Sequence, residues 1–181
     1  VALNDILAYF RTYDQSIFNV VACQGNEPSE DDIAAFEREC GIALPAEFRQ
    51  FTMSPLGGLY MEVVEELWPR AEVYAVGPFW SFQYGIKVFG IATDIPDWLD
   101  LLVQFREMRD AGFPKLVPFL QLVCDANRYC FNAAGQIVYW DHEEPEKLSV
   151  VPSSFSDLLM TEIRDLEDRA RRKIAGEDKQ T

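Results

Sequence analysis

Histidine occurs once in these 181 residues, as His142. Ser-His-Asp and Cys-His catalysis would both have to run through that side chain. His142 follows a run that reads as a strand and precedes Glu143-Glu144-Pro145, and a place beside carboxylates does not make it catalytic; a locally hydrogen-bonded strand-end histidine is the simpler reading. No H-E-x-x-H, G-x-x-x-x-G-K-[ST] or G-x-G-x-x-G pattern is present. The four cysteines, Cys23, Cys40, Cys124 and Cys130, form no C-x-x-C pair. Buried, reduced thiols are expected rather than a disulfide or a metal site, and the cytoplasm is the expected location. No apolar run approaches the roughly 20 residues that span a bilayer, and no signal peptide is expected. Carboxylate pairs carry no weight among 30 acidic residues; the Asp141 to Glu146 cluster offers metal binding as one reading, and a surface carboxylate cluster that binds nothing tightly as the plainer one. No catalytic residue, cofactor or metal is expected.

Basic residues are also scarce, 16 against 30 acidic ones, for a net charge of −14. Residues 161–181 are balanced, with six of each sign, so the preceding 160 carry the whole excess. Direct nucleic-acid binding is disfavoured, because it needs a basic stripe. A basic protein partner is favoured, since opposite fields steer encounter; the plainer reading is that acidity keeps the chain soluble. Hydrophobic residues at 49% and aromatics at 13% fit a folded chain, and the length suits one core, read as one domain over 1–176 with a frayed tail at 177–181.

The organising stretch runs from Ile33 to Gly58, with its first helix started at Pro28-Ser29. Ser29 and Asp32 form a capping box, and Ile33, Phe36 and Cys40 make one apolar stripe. Gly41 supplies the left-handed stop, Leu44-Pro45 restarts a helix, Phe48 and Phe51 give its buried face, and Gly57-Gly58 ends it. Before this stretch, Leu3, Ile6, Leu7 and Phe10 mark an N-terminal helix. The segment from Ser16 to Gly25 reads as its continuation or as a short buried segment, two readings that periodicity does not separate.

Leu59–Val64 reads as a strand, and the aromatic and β-branched runs Tyr74–Trp80 and Ser81–Ile91 as two or more antiparallel strands. A helix is expected from Asp97 to Ala111, started by Asp94 to Asp97, with Trp98 as a core anchor beside Leu101, Leu102, Phe105 and Met108, and stopped at Gly112. Lys115–Val123 reads as a buried strand. Arg128–Phe131 and Gln136–Trp140 make a hairpin with Gly135 in the left-handed position. Ser154 caps a last amphipathic helix whose face is Phe155, Leu158, Leu159, Ile163 and Leu166, and Arg169 to Lys173 reads as a solvated helix end. The fold class is α+β: a mostly antiparallel sheet with N-terminal and C-terminal helices packed on it.

The order Glu37, Gly41, Ile42, Leu44, Pro45, Phe48, Phe51, Gly57, Gly58 resembles the signature of the SUKH superfamily, which takes in fungal cell-wall-synthesis regulators and many bacterial immunity proteins. Pro118, Phe119, Asp125, Tyr129, Phe131, Gly135, Val138, Tyr139, Trp140 and His142 resemble its second signature region. The resemblance implies a non-catalytic binding module that neutralises a cognate toxin with a basic surface, such as a nuclease-like one; the alternative is an intracellular protein-binding scaffold or regulator of the same fold. A monomer is expected. Expected anionic contacts at strand ends and loops are Glu65, Glu66, Glu72, Asp125, Asp141, Glu143, Glu144 and Glu146, with Trp80 and Trp140 as aromatic anchors.

Overall fold

The computed structural model describes residues 1–72 and 74–176; the expected tail at 177–181 lies outside them. Local chemistry sets the helix ends. Helix α1 spans Leu3–Thr12 and buries Ile6. Helix α2, Glu30–Cys40, starts as the capping box requires: the Asp32 N–H donates to the Ser29 hydroxyl at 3.2 Å, and the Ser29 N–H to the Asp32 carboxylate at 2.8 Å. Gly41 ends it at φ 68°. Helix α3, Ala46–Thr52, begins just after Pro45, which sits at the cap rather than in the first turn.

The segment left open between α1 and α2 contains a short edge strand, β1, Phe18–Val21. The rest of the sheet is β2 Leu59–Val63, β3 Gly85–Val88, β4 Leu116–Leu122, β5 Arg128–Asn132, β6 Ile137–Trp140 and β7 Ser149–Val150. These seven strands lie in chain order, each antiparallel to the next. The fold is α+β, an antiparallel sheet flanked by N-terminal and C-terminal helices. Such a meander needs only short connections, and Gly135, at φ 74°, closes the β5–β6 turn.

Adjacent residues of a strand point to opposite faces, and β5 shows what covers each. Phe131 packs with Phe119 and Phe48, and Phe155 packs against both of those rings, so α3 and helix α5, Phe155–Ala175, cover one face. Cys130 belongs to a second cluster with Met108, Leu116 and Val138, so helix α4, Leu101–Asp110, covers the other. Phe36 of α2 meets Phe105 of α4 edge to face at 6.1 Å.

Gly57 and Gly58 serve backbone approach. A Cβ on Gly90 would stand 2.3 Å from the Gly58 nitrogen, and one on Gly57 2.2 Å from the Thr52 carbonyl oxygen. The α3 exit and the end of β3 therefore touch main chain to main chain.

Three expectations fail here. Tyr74–Trp80 is no strand: Gly77-Pro78 leads into a single 3-10 turn, Phe79–Phe82, and β3 occupies only Gly85–Val88 of the later run. The fourth helix starts at Leu101, because Pro96 first closes a turn onto Leu99 and Asp100 and Asp100 then caps, accepting from the Leu102 and Val103 N–H groups. Trp98, left outside the helix, is 46% exposed and rests its edge on Tyr60. It is not a core anchor.

Candidate functional site

Antiparallel order brings the connections together. Val63 pairs with Phe18, Glu62 with Gly85, Ile86 with Leu122 and Arg128 with Trp140. The β2–β3, β4–β5 and β6–β7 connections thus share one end of the sheet, and the outermost two stand roughly 19 Å apart, four strand spacings. Every expected contact residue lies in or beside them: Glu65, Glu66, Glu72 and Trp80 in the first, Asp125 in the second, and Trp140, Asp141, Glu143, Glu144 and Glu146 around the third.

The β2–β3 connection is long but anchored. Trp68 is buried and donates its indole N–H to the Ser81 carbonyl at 3.0 Å. Arg70 donates to the Trp68 and Val63 carbonyls and to Glu62, and lies over the Tyr84 ring at 3.7 Å. From this base Tyr74, 92% exposed, and Val76, Phe79 and Trp80, 56% exposed, project outward. Glu65, Glu66 and Glu72 are exposed alongside. Apolar side chains cost solubility without contributing to the core here, which is the pattern of a contact surface.

Across the sheet, Glu143, Glu144 and Glu146 are exposed and Asp141 partly so. Among the described residues only two of the expected anionic contacts have a basic nitrogen within 4 Å: Glu144, with Lys147 at 2.9 Å, and Asp141, 3.9 Å from His142. Mutual repulsion among the rest is relieved only by solvent, salt or a basic partner.

Asp125 departs from the expectation of an exposed contact. It is 8% exposed, and its carboxylate accepts from the Gln83 amide at 3.2 Å and the Asn127 N–H at 2.8 Å. Burial raises its pKa, against the pull of those hydrogen bonds. Asn127 in turn accepts from the His142 N–H at 3.0 Å and holds the ring Nδ1 at 2.8 Å. Asp125, Asn127 and His142 therefore fasten the second connection to the third, and the imidazole is engaged locally. Trp140 is only partly available, since its ring packs edge-on against Phe113 at 5.5 Å.

The thiols also differ from expectation in part. All four are free, and Cys40 and Cys130 are buried, but Cys23 is half-buried and Cys124 is exposed at φ 61° in the β4–β5 turn. Burial pushes the Cys130 thiol up to about 12. No three metal-capable side chains converge among the described residues, and no described helix is long and apolar enough to cross a membrane.

The description "SMI1 / KNR4 family (SUKH-1)" matches residues 27–161, from the turn before α2 into the first turns of α5. The chain belongs to the SMI1 / KNR4 family. Its SUKH-1 match spans the sheet from β2 to β7 and every expected contact residue, and no curated protein matches the chain. Glu37, one of the positions that carry the sequence resemblance, has a structural role here: it accepts from the Leu44 N–H at 2.8 Å and pairs with Arg49 at 2.7 Å, so the α2–α3 turn is closed by a carboxylate.

Sequence reasoning missed one part of this end of the sheet. On α5, Glu162 is buried and accepts from the Tyr129 hydroxyl at 2.8 Å, while Arg169 turns inward and donates to the Gln83 carbonyl at 3.3 Å. Arg169 is thus no part of a solvated helix end, although Arg171, paired with Asp168 at 2.7 Å, is. The available signal was helical phase: Glu162 and Arg169 lie on the stripe of Leu159, Ile163, Leu166 and Ala170.

Proposed function

We propose that this chain is a non-catalytic immunity protein that binds a cognate toxin and occludes it, using the end of the sheet where the three connections meet. The supporting observation is the pairing of projecting Tyr74, Val76, Phe79 and Trp80 with exposed carboxylates on both sides. A basic, nuclease-like active surface is the complement of that end: carboxylates steer it in, and aromatic side chains supply the contact area that holds it. Blocking such a surface requires fit and charge and no bond chemistry. Membership of the family supports a binding role.

The test is co-expression with the product of the adjacent open reading frame. The proposal predicts co-purification and rescue of growth, both retained in His142→Ala and both lost when Trp80 and Phe79 are replaced by alanine. Retention of both by the Phe79/Trp80 variant would remove this end of the sheet as the binding surface.

A further inference from the structure

Trp80 and Arg169 line a cleft of about 690 Å³ between the β2–β3 connection and the last turns of α5. A smaller recess of about 140 Å³ continues from it between Trp68, Trp80, Arg169 and Arg172. Arg169 and Arg172 form no close ion pair with their own helix among the described residues, although Glu162 and Asp165 lie near enough to attract Arg169. Asp165 and Asp168 precede Arg169 and Arg172 by four residues, the spacing at which helical ion pairs form. Yet the ion pairs this stretch makes among the described residues are those of Arg171, with Asp168 and Glu167. Arg169 Nη2 is sealed from solvent and has no acceptor. A guanidinium N–H removed from water without an acceptor is destabilising until an anion reaches it. In a chain of net charge −14, a cleft that gathers Trp80, the half-buried Arg169 and the exposed Arg172, with Trp68 at its inner recess, is built against the prevailing sign.

Indole walls exclude water, and the guanidinium fork matches a carboxylate through two parallel N–H donors. Asp165 and Asp168 in the lining repel a phosphate, with its charge near −2, more than a singly charged carboxylate. We propose that this cleft is a carboxylate-binding site that takes an Asp or Glu side chain of a partner polypeptide between Trp80 and the Arg169 and Arg172 guanidinia. The identification of that polypeptide as the bound toxin rests on the function proposed above; the site itself does not. The partner surface then carries both signs, basic opposite the acidic connections and one acidic residue opposite the cleft. Such an inverted pair gives specificity, because a uniformly basic surface leaves the buried guanidinium unpaired.

The test titrates the ¹⁵N-labelled chain separately with hexaglutamate, hexalysine and inorganic phosphate, following its four tryptophan indole N–H resonances. Hexaglutamate is expected to shift Trp80 and Trp68 saturably and to leave Trp98 and Trp140 in place. Arg172→Gln should weaken that binding about tenfold, the size of one charge-assisted hydrogen-bonded contact. Asp165→Asn should tighten it, a gain that misfolding does not mimic, and unchanged melting temperatures confirm both folds. No saturable shift, shifts indifferent to both substitutions, or phosphate binding with hexaglutamate silent would overturn the site. Hexalysine reports separately on the acidic connections: its binding without hexaglutamate binding removes the cleft and leaves the proposed function standing, and the reverse result supports the cleft and counts against the acidic contact mode.

Discussion

Glu37 and Arg49 face each other across the turn that Gly41 opens, a carboxylate oxygen 2.7 Å from a guanidinium nitrogen, while the other oxygen of Glu37 receives the Leu44 N–H at 2.8 Å. Arg49 also reaches Glu30 at the start of α2. One carboxylate therefore fixes the angle between α2 and α3, and through Phe48 and Phe51 it fixes how α3 meets the sheet.

Glu37→Gln should lower stability by about 1–3 kcal/mol, because a partly buried guanidinium loses the less exposed of its two counter-charges, keeping only Glu30, while the backbone donor keeps only a neutral acceptor. Urea unfolding measures this. A loss no larger than that of Glu39→Gln, whose pair with Arg106 is more exposed, would show that the turn does not depend on the carboxylate.

Gly90→Ala should be worse tolerated than Gly58→Ala. The added carbon on Gly90 meets the Gly58 backbone at 2.3 Å, whereas on Gly58 it meets the Cys23 and Ile95 side chains at 2.6 and 2.7 Å, with φ at 65°. The Gly58 variant should lose more than about 1 kcal/mol. The Gly90 variant should lose the cooperative transition or its yield of folded protein. Circular dichroism melting of the two ranks them.

These features differ in how far the sequence reveals them. Ser29 with Asp32, Gly41 and Gly135 are legible because a cap or a left-handed turn is decided within a few residues. The run Tyr74–Trp80 has the composition of a strand, and nothing local says that Gly77-Pro78 will turn it outward with no neighbour to pair with. Asp125 reads as a loop carboxylate; its burial comes from Gln83, far earlier in the chain, closing over it. The inward turn of Arg169 depends likewise on the Gln83 carbonyl. What sequence reading misses at this end of the sheet is set by contacts between connections, where neither periodicity nor capping applies.

Burial raises the pKa of Glu162, against the Tyr129 hydrogen bond and the attraction of Arg169. The sign follows from proton linkage: a carboxyl whose folded pKa lies above its ordinary 4.5 contributes stability that is full below that value and is lost as pH rises through the folded one. Glu162→Gln cannot ionise and escapes that loss. Its melting temperature relative to the parent should therefore be higher at neutral pH than near pH 4. A difference independent of pH would contradict the buried, hard-to-ionise carboxyl.

Thiol accessibility separates the four cysteines. A disulfide reagent on the native protein should label Cys124 first and Cys130 only on unfolding, since Cys124 is exposed and the Cys130 thiol is both buried and pushed up to about 12. Cys124→Ser should remove the fast phase. A fast phase that survives it would place another thiol at the surface.

The central claim is that this chain works by presenting a charged, aromatic end of a sheet to another protein. It is tested most directly by stopped-flow association with its co-purifying toxin across a salt series from about 50 to about 500 mM, which shortens the Debye length severalfold. The account predicts that the association rate of the parent falls at least about tenfold across the series, and that a variant with lysine at Glu65, Glu66, Glu143 and Glu144 starts low and loses that dependence. An association rate that is indifferent to salt, and equal in parent and variant, would contradict it.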